Sequence, residues 1–211
     1  MRLYDVSMPI CEDMPVYKNR SENRPKLTVD RDFSQGARET RLTLNMHTGT
    51  HVDAPFHFLP GGEKIHTVPI ENMVRPCRVL DFTHVADRIT SSELEGQSIE
   101  PGDFILFKTR NSLVNGFDPN YVFLDVDGAE HLVERKIRGV GIDALSIGRG
   151  QPNPEIHRLL LKERIVIIEG LRLAEVPKGK YLLIAAPLAV VDAEAAPARV
   201  ILAQMEGNAT P

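Results

Sequence analysis

The chain of 211 residues has no tryptophan and two cysteines. It also has no apolar run approaching the roughly 18 residues needed to cross a bilayer. Cys11 and Cys77 sit in unrelated contexts and not in a CxxC pair. No disulfide framework is written here, a reducing compartment is expected, and both thiols are expected to be buried as small apolar residues. Positive charge is never concentrated: the densest patches are RKIR (135–138) and KER (162–164), against a formal net charge of −4. That excludes nucleic acid as the main partner, because phosphate binding needs clustered cations. The first residues, MRLYDVSMPI, lack an apolar core long enough for a secretory signal, so a cytoplasmic protein with no membrane partner is expected. No repeat, low-complexity tract or Ser/Gly linker marks a boundary, and one domain over 1–211 is expected, long enough to bury about 70% of its unfolded surface.

What is present changes rhythm along the chain. The N-terminal third reads as extended: KLTVDRD (26–32) and RETRLTLNM (38–46) alternate polar and apolar residues, Pro60-Gly61-Gly62 makes a turn, and RVLDFTHV (78–85) is a further strand candidate. Later, buried strands alternate with helical spacing. PGDFILFKT (101–109) feeds a strand, and DGAEHLVERKI (127–137) predicts a helix capped by Asp127. RGVGID (138–143) is a short strand. NPEIHRLLLKE (153–163) predicts a helix with Asn153 as cap and Pro154 in first position, followed by the strand RIVIIEG (164–170). YLLIAAPL (181–188) and ARVILAQ (198–204) close the chain as strands. The alternation predicts an α/β fold, a mixed sheet with flanking helices, partly parallel in its second half.

The densest chemistry lies in NMHTGTHVDAPFHF (45–58), where His47, His51, Asp53 and His57 fall within eleven positions of a chain with seven histidines. Gly49 and Pro55 argue against a helix. All four polar candidates are odd-numbered, so an extended strand entering a loop would turn them to one face. Imidazole nitrogens and a carboxylate oxygen on one face are the usual donor set for zinc or a similar divalent ion. A carboxylate can also bridge two metals, and a histidine not used as a ligand can shuttle a proton; His57, furthest from the core of the cluster, suits that task. Glu169 ends the apolar run IVII, where a buried carboxylate is costly unless paired or bound to a cation. His157, between Ile156 and Leu160 on its helix, is expected to be half-buried.

The string HTGTHVDAPFHF resembles the signature of the metal-dependent cyclase family that includes bacterial kynurenine formamidase and isatin hydrolase. The resemblance runs along nearly the whole chain, through YDVSMPICEDMPVY, GVGIDALSIG, EIHRLLLKERIVIIEGL and YLLIAAPLAVVDAEAAPARVILA. It implies a fold of the swivelling β/β/α type and two divalent ions per chain, zinc or manganese. One ion would be held by His47, His51 and Asp53. The second would share Asp53 and add His157 and Glu169. The resemblance also implies His57 as general acid/base, Tyr17 in the substrate pocket, and a homodimer or homotetramer. Two departures stand out: the family's kynurenine formamidases read H-x-G-A-H-x-D and W-P-G-D, where this chain has GTHVD and VYKN. The metal chemistry therefore transfers better than the substrate.

The expected function is an arylformamidase-like hydrolase, converting N-formylkynurenine to kynurenine and formate with metal-activated water. A cyclic amide or lactone hydrolase acting on a substrate such as isatin is the alternative, and a metal-binding protein without catalysis is a third. His66, His84 and His131 are expected to be structural or exposed, and Asp143 to serve a turn or cap. Ser112 and Ser146 lack the context of a nucleophile.

Overall fold

A computed structural model describes residues 1–150 and 154–204. In chain order its elements are β1 (Arg2–Asp5), β2 (Lys26–Arg31), β3 (Glu39–Thr43), β4 (His51–Asp53), β5 (Val74–Asp81), β6 (Arg88–Ile89) and α1 (Ser91–Glu95). There follow β7 (Phe104–Lys108), β8 (Phe123–Leu124), α2 (Val126–Glu134), β9 (Gly139–Ile142), α3 (Glu155–Lys162), β10 (Val166–Glu169), β11 (Gly179–Pro187) and β12 (Ala195–Gln204). The expected α/β class with a mixed sheet is what forms.

Eight strands build the main sheet in the order β1-β12-β11-β5-β7-β9-β10-β4, and β4 also pairs with β12, which closes it into a barrel-like ring. The central pairs β5–β7, β7–β9 and β9–β10 are parallel; the others are antiparallel. Parallel strands buried on both faces should be apolar at every position, and FILF, VGI and VII are. Ile105, Phe107, Val140, Ile142 and Ile167 point outward into a core shared with Leu132 of α2 and with Ile156, Leu160 and Leu161 of α3. Their neighbours Phe104, Leu106, Val166 and Ile168 point the other way, where they meet Val52, Val79, Leu183 and Leu202 from around the ring. Two glycines of β9 make this inner packing possible. A Cβ on Gly139 would lie 2.1 Å from the Phe104 ring, and one on Gly141 would lie 2.6 Å from Leu106.

Several boundaries differ from the sequence reading. The helix expected from Asp127 is capped by Asp125, whose carboxylate accepts from Val126 N at 2.8 Å. Asp127 instead accepts from the Ser91 hydroxyl at 2.8 Å and so ties α2 to α1. For α3 the N-cap is Pro154; Asn153 lies outside the described residues. The second extended segment ends at Thr43 rather than running to residue 46, and with β2 it forms a separate two-stranded ribbon. Cys77 is buried as expected, but Cys11 is exposed, since it sits in a surface loop ahead of the ribbon. No helix among the described residues is long and apolar enough to cross a membrane.

Asp143 has a larger role than a turn. Its buried carboxylate accepts from the Thr109 amide at 2.8 Å, the Thr109 hydroxyl at 2.7 Å, the Ser112 amide at 3.2 Å and the Ser112 hydroxyl at 2.7 Å. Ser112 Oγ in turn accepts from Leu173 N at 2.9 Å. Burial pushes the Asp143 carboxyl up to about 6 against the pull of these donors. Three segments are thus pinned at the ends of β7, β9 and β10. Asn111 Nδ2 adds a longer contact at 3.4 Å. Asp143→Ala leaves the Thr109 and Ser112 donors without their acceptor, and since a hydrogen bond to a charged group contributes about 1.5–3 kcal/mol, a loss of roughly 3 kcal/mol or more is expected. In a chain of this size that lowers Tm by about 6–12 °C, and a thermal melt showing no change would refute the anchoring role.

Candidate metal centre

The expectation of one strand carrying all four polar residues on its odd face holds only for His51 and Asp53. β4 is three residues long. His47 precedes it in a turn, with its amide donating to Asn45 Oδ1 at 2.9 Å, and His57 follows in a short 3-10 helix, Pro55–His57. Gly49, at φ +63°, bends the chain between them. The histidines converge through turns, because the bends at Gly49 and Pro55 that exclude a helix also exclude a long strand.

Strand register supplies the next residue. β4 runs antiparallel to β10 with His51 opposite Glu169, and directly opposed side chains in such a pair lie about 4.5–5.5 Å apart at Cβ. The loop before β4 is clamped to the same place. Thr50 Oγ1 donates to Gly170 O at 2.6 Å and accepts from Met8 N at 2.7 Å. Gly170 has φ +70°, and a Cβ there would lie 2.3 Å from the Gly49 carbonyl oxygen. Only glycine fits directly after the glutamate. α3, the crossover between β9 and β10, brings in His157 from its first turn.

The five side chains form one cluster around Asp53. Asp53 Oδ1 lies 3.1 Å from His47 Nδ1 and 3.5 Å from His51 Nε2, while Oδ2 lies 3.9 Å from His157 Nε2. Glu169 places Oε2 3.3 Å from His51 Nε2 and Oε1 3.1 Å from His157 Nε2. Oε1 also accepts from Ile147 N at 2.7 Å. Two donor sets able to hold a metal ion result, His47–His51–Asp53 and Asp53–His157–Glu169, with Asp53 common to both. His157 is more buried than its sequence context suggested, at 7% exposure, because α3 packs flat on the sheet.

The residues fit a cation. Asp53 Oδ1 and Oδ2, His51 Nε2 and His47 Nε2 are buried without a hydrogen-bond partner. Each such atom costs about 1–3 kcal/mol, and more if charged, unless something positive binds it. His51 Nδ1 faces the Gly49 carbonyl at 2.9 Å. In the tautomer that donates there, Nε2 keeps its lone pair for the cluster, the arrangement by which metal-bound histidines are oriented.

Without a cation the imidazoles carry the compensating charge. Burial pulls His51 down, but the Glu169 carboxylate 3.3 Å from its Nε2 and the charge of Asp53 outweigh it and raise it to about 9. Burial and the Glu169 charge push the Asp53 carboxyl up, yet His47 and His51 hold it below the ordinary value. Burial also raises Glu169, but His157 and His51 keep it ionised well below the usual carboxylate range. His57 differs: burial dominates and lowers it to about 4. Its ring lies 4.2 Å from that of His47 and 4.0 Å from that of Phe58, and it belongs to neither donor set.

A cavity of about 360 Å³ opens onto the cluster, with His47, His57, His157 and Glu169 at one end and Tyr17 and Phe58 on its walls. Tyr17 is braced edge-on by Phe117 at 5.5 Å. Three neighbours were given no place in the site by the sequence. Glu194 places Oε1 3.5 Å from His47 Nε2, Phe58 packs 4.8 Å from the His157 ring, and Ser146 lines the cavity. Glu194 arrives only through the pairing of β12 with β4, whereas Phe58 directly follows His57 and Ser146 lies in the loop after β9. His66 is exposed and accepts from Asp192 N at 3.2 Å, and His84 is exposed beside Glu93, both away from the cluster.

A closed mixed sheet with a buried carboxylate–imidazole cluster beside a cavity defines an α/β protein with side chains able to hold metal. Residues 4–149 match the family described as putative cyclase, and the chain belongs to that family. It is 33% identical to the kynurenine formamidase of Bacillus cereus over 94% of this chain and 95% of that one. A solved structure from Bacillus stearothermophilus, described as a predicted metal-dependent hydrolase, is 47% identical over 95% of this chain and 97% of that one, with a TM-score of 0.89. Isatin hydrolase A from Labrenzia aggregata, solved bound to benzyl benzoate, is 25% identical over 95% of this chain and 93% of that one, with a TM-score of 0.83.

Proposed function

We propose that the chain is a metal-dependent hydrolase of carbon–nitrogen bonds other than peptide bonds, with an aryl formamide such as N-formylkynurenine as its leading substrate. The observation that carries this reading is the position of Asp53, with one oxygen toward His47 and His51 and the other toward His157. His47, His51 and Asp53 would hold one divalent ion, and Asp53, His157 and Glu169 a second; zinc and manganese both suit such donors. Bound there, the metal supplies an acidified water and polarises a carbonyl oxygen.

The remaining steps belong to the chain. His57 is uncharged near neutral pH, since burial lowers it to about 4, so a ring nitrogen can take the proton of the attacking water and pass it to the departing nitrogen. Tyr17 and Phe58 offer aromatic faces to an aryl ring. Water adds to the formyl carbon, the carbon–nitrogen bond breaks, and kynurenine and formate leave. A cyclic amide such as isatin, or a lactone, asks the same of these groups; the likeness to isatin hydrolase A supports it as the second reading. A metal-binding role without catalysis fits less well, because a structural site is closed by protein, whereas here a cavity reaches the donors.

The same reading includes a homodimer or homotetramer. Every residue of β2 and β3 is exposed, and the register puts Leu27 opposite Leu42 and Val29 opposite Thr40 on one face of the ribbon. An isolated two-stranded ribbon is marginally stable at best, so a second copy covering this apolar face supports it. The fold would be the swivelling β/β/α type, and the cytoplasm is the proposed compartment, in keeping with two unpaired cysteines.

The test is hydrolysis of N-formylkynurenine by purified protein after chelation, with and without added zinc or manganese. Metal-dependent turnover is expected. A metal-loaded sample that hydrolyses neither N-formylkynurenine nor isatin would refute the reading.

A further inference from the structure

On the reading above, the cavity has an inner end that performs chemistry and an outer end that selects the substrate, and the outer end has a definite charge. Lys18, Asn23 and Asn45 line it together with Arg149, and among the described lining residues the only carboxylate is Glu169, which belongs to the metal cluster. This is unusual for a chain of net charge −4. The two cations differ. The Arg149 guanidinium is already satisfied: it pairs with Asp87, donates to Tyr121 O at 2.8 Å and lies 4.4 Å from the centre of the Phe123 ring. Lys18 has no carboxylate partner among the described residues. Its ammonium stands 5.2 Å from the centre of the Tyr17 ring, on the wall that the substrate's aryl group would face.

The backbone holds Lys18 there at a cost. Lys18 and Asn19 are consecutive non-glycine residues at φ +56° and +51°, a conformation that side chains with a Cβ adopt rarely. Asn23 and Asn45 flank the β2–β3 ribbon, one before it and one after, and add two side-chain amides to the lining. An ammonium without a counter-ion, amide donors and no acid make a receptor for an anion.

We propose that Lys18 is a specificity-determining residue that binds a carboxylate on the far side of the substrate from the scissile amide. The enzyme then prefers aryl amides that carry a carboxylate over those without one, such as isatin.

The experiment compares kynurenine with its carboxamide as ligands of the metal-loaded protein by calorimetry, in the wild type, K18Q and K18R. Losing a charged hydrogen-bond partner should weaken carboxylate binding about tenfold in K18Q. Binding of the carboxamide should stay within about twofold, and K18R should keep most of the preference for the carboxylate. Added salt should erode that preference in the wild type but not in K18Q. Equal losses for both ligands, an unchanged ratio, or binding of neither by the wild type would overturn the proposal. The hydrolase reading is judged separately by turnover of N-formylkynurenine, so a charge-selective protein that does not hydrolyse would refute that reading and leave this one standing.

Discussion

Asp53→Asn is expected to remove activity and metal together. The substitution keeps the shape of the side chain but replaces one oxygen of the shared carboxylate with an NH₂ group, which cannot coordinate, and deletes a charge that no other residue supplies. Partners that merely orient ligands are worth about 10–100-fold in affinity or activity. A ligand common to both donor sets should therefore cost more than about 100-fold in kcat/KM. Metal analysis after dialysis should show at least one ion lost. Thermal stability gives an independent readout. Metal at about 100 times its dissociation constant stabilises by about 2.7 kcal/mol, or roughly 5–11 °C in Tm for a chain of this size. The wild type should show that shift on adding zinc or manganese to chelated protein, and the variant should show a much smaller one. Full activity in Asp53→Asn with normal metal content would refute the shared-ligand scheme.

His57→Ala should separate catalysis from metal binding. His57 lies against His47 but outside both donor sets. Metal content and the metal-induced rise in Tm should persist, while kcat falls by the roughly 10²–10⁴-fold typical of a lost general acid/base. A variant that turns over normally, or one that loses its metal, would remove His57 from the proton-transfer role.

Much of this was legible in residues 45–58 because ligand chemistry is local in residue type even where it is not local in space. Histidine and aspartate are costly to bury without partners, so four of them within eleven positions point to a cation whatever the backbone does. The strand-alternation argument reached the right residues by a partly wrong route: only His51 and Asp53 share a strand face, and turns carry His47 and His57 in. Element types were readable for the buried parallel strands, whose continuous apolar runs admit few alternatives. Helix caps were not, because Asp125 and Asp127 are chemically equal candidates and only the docking of Asp127 onto Ser91 decides between them.

The sequence by itself pointed to the donors of residues 45–58 and determined the α/β class, since these follow from residue chemistry and from periodicity within one element. Only the tertiary structure decided which distant residues complete the site. The register of β4 on β10 sets Glu169 opposite His51. The crossover through α3 turns His157 onto Asp53, and closure of the ring by β12 on β4 brings Glu194 to His47. Asp143 shows the same division: its carboxylate is plain in the sequence, but its donors, from Thr109, Asn111 and Ser112, come from a loop more than 30 residues away. Local sequence fixes which groups cannot be buried alone. Long-range strand pairing, driven by burial of the apolar runs between them, fixes which groups they are buried with.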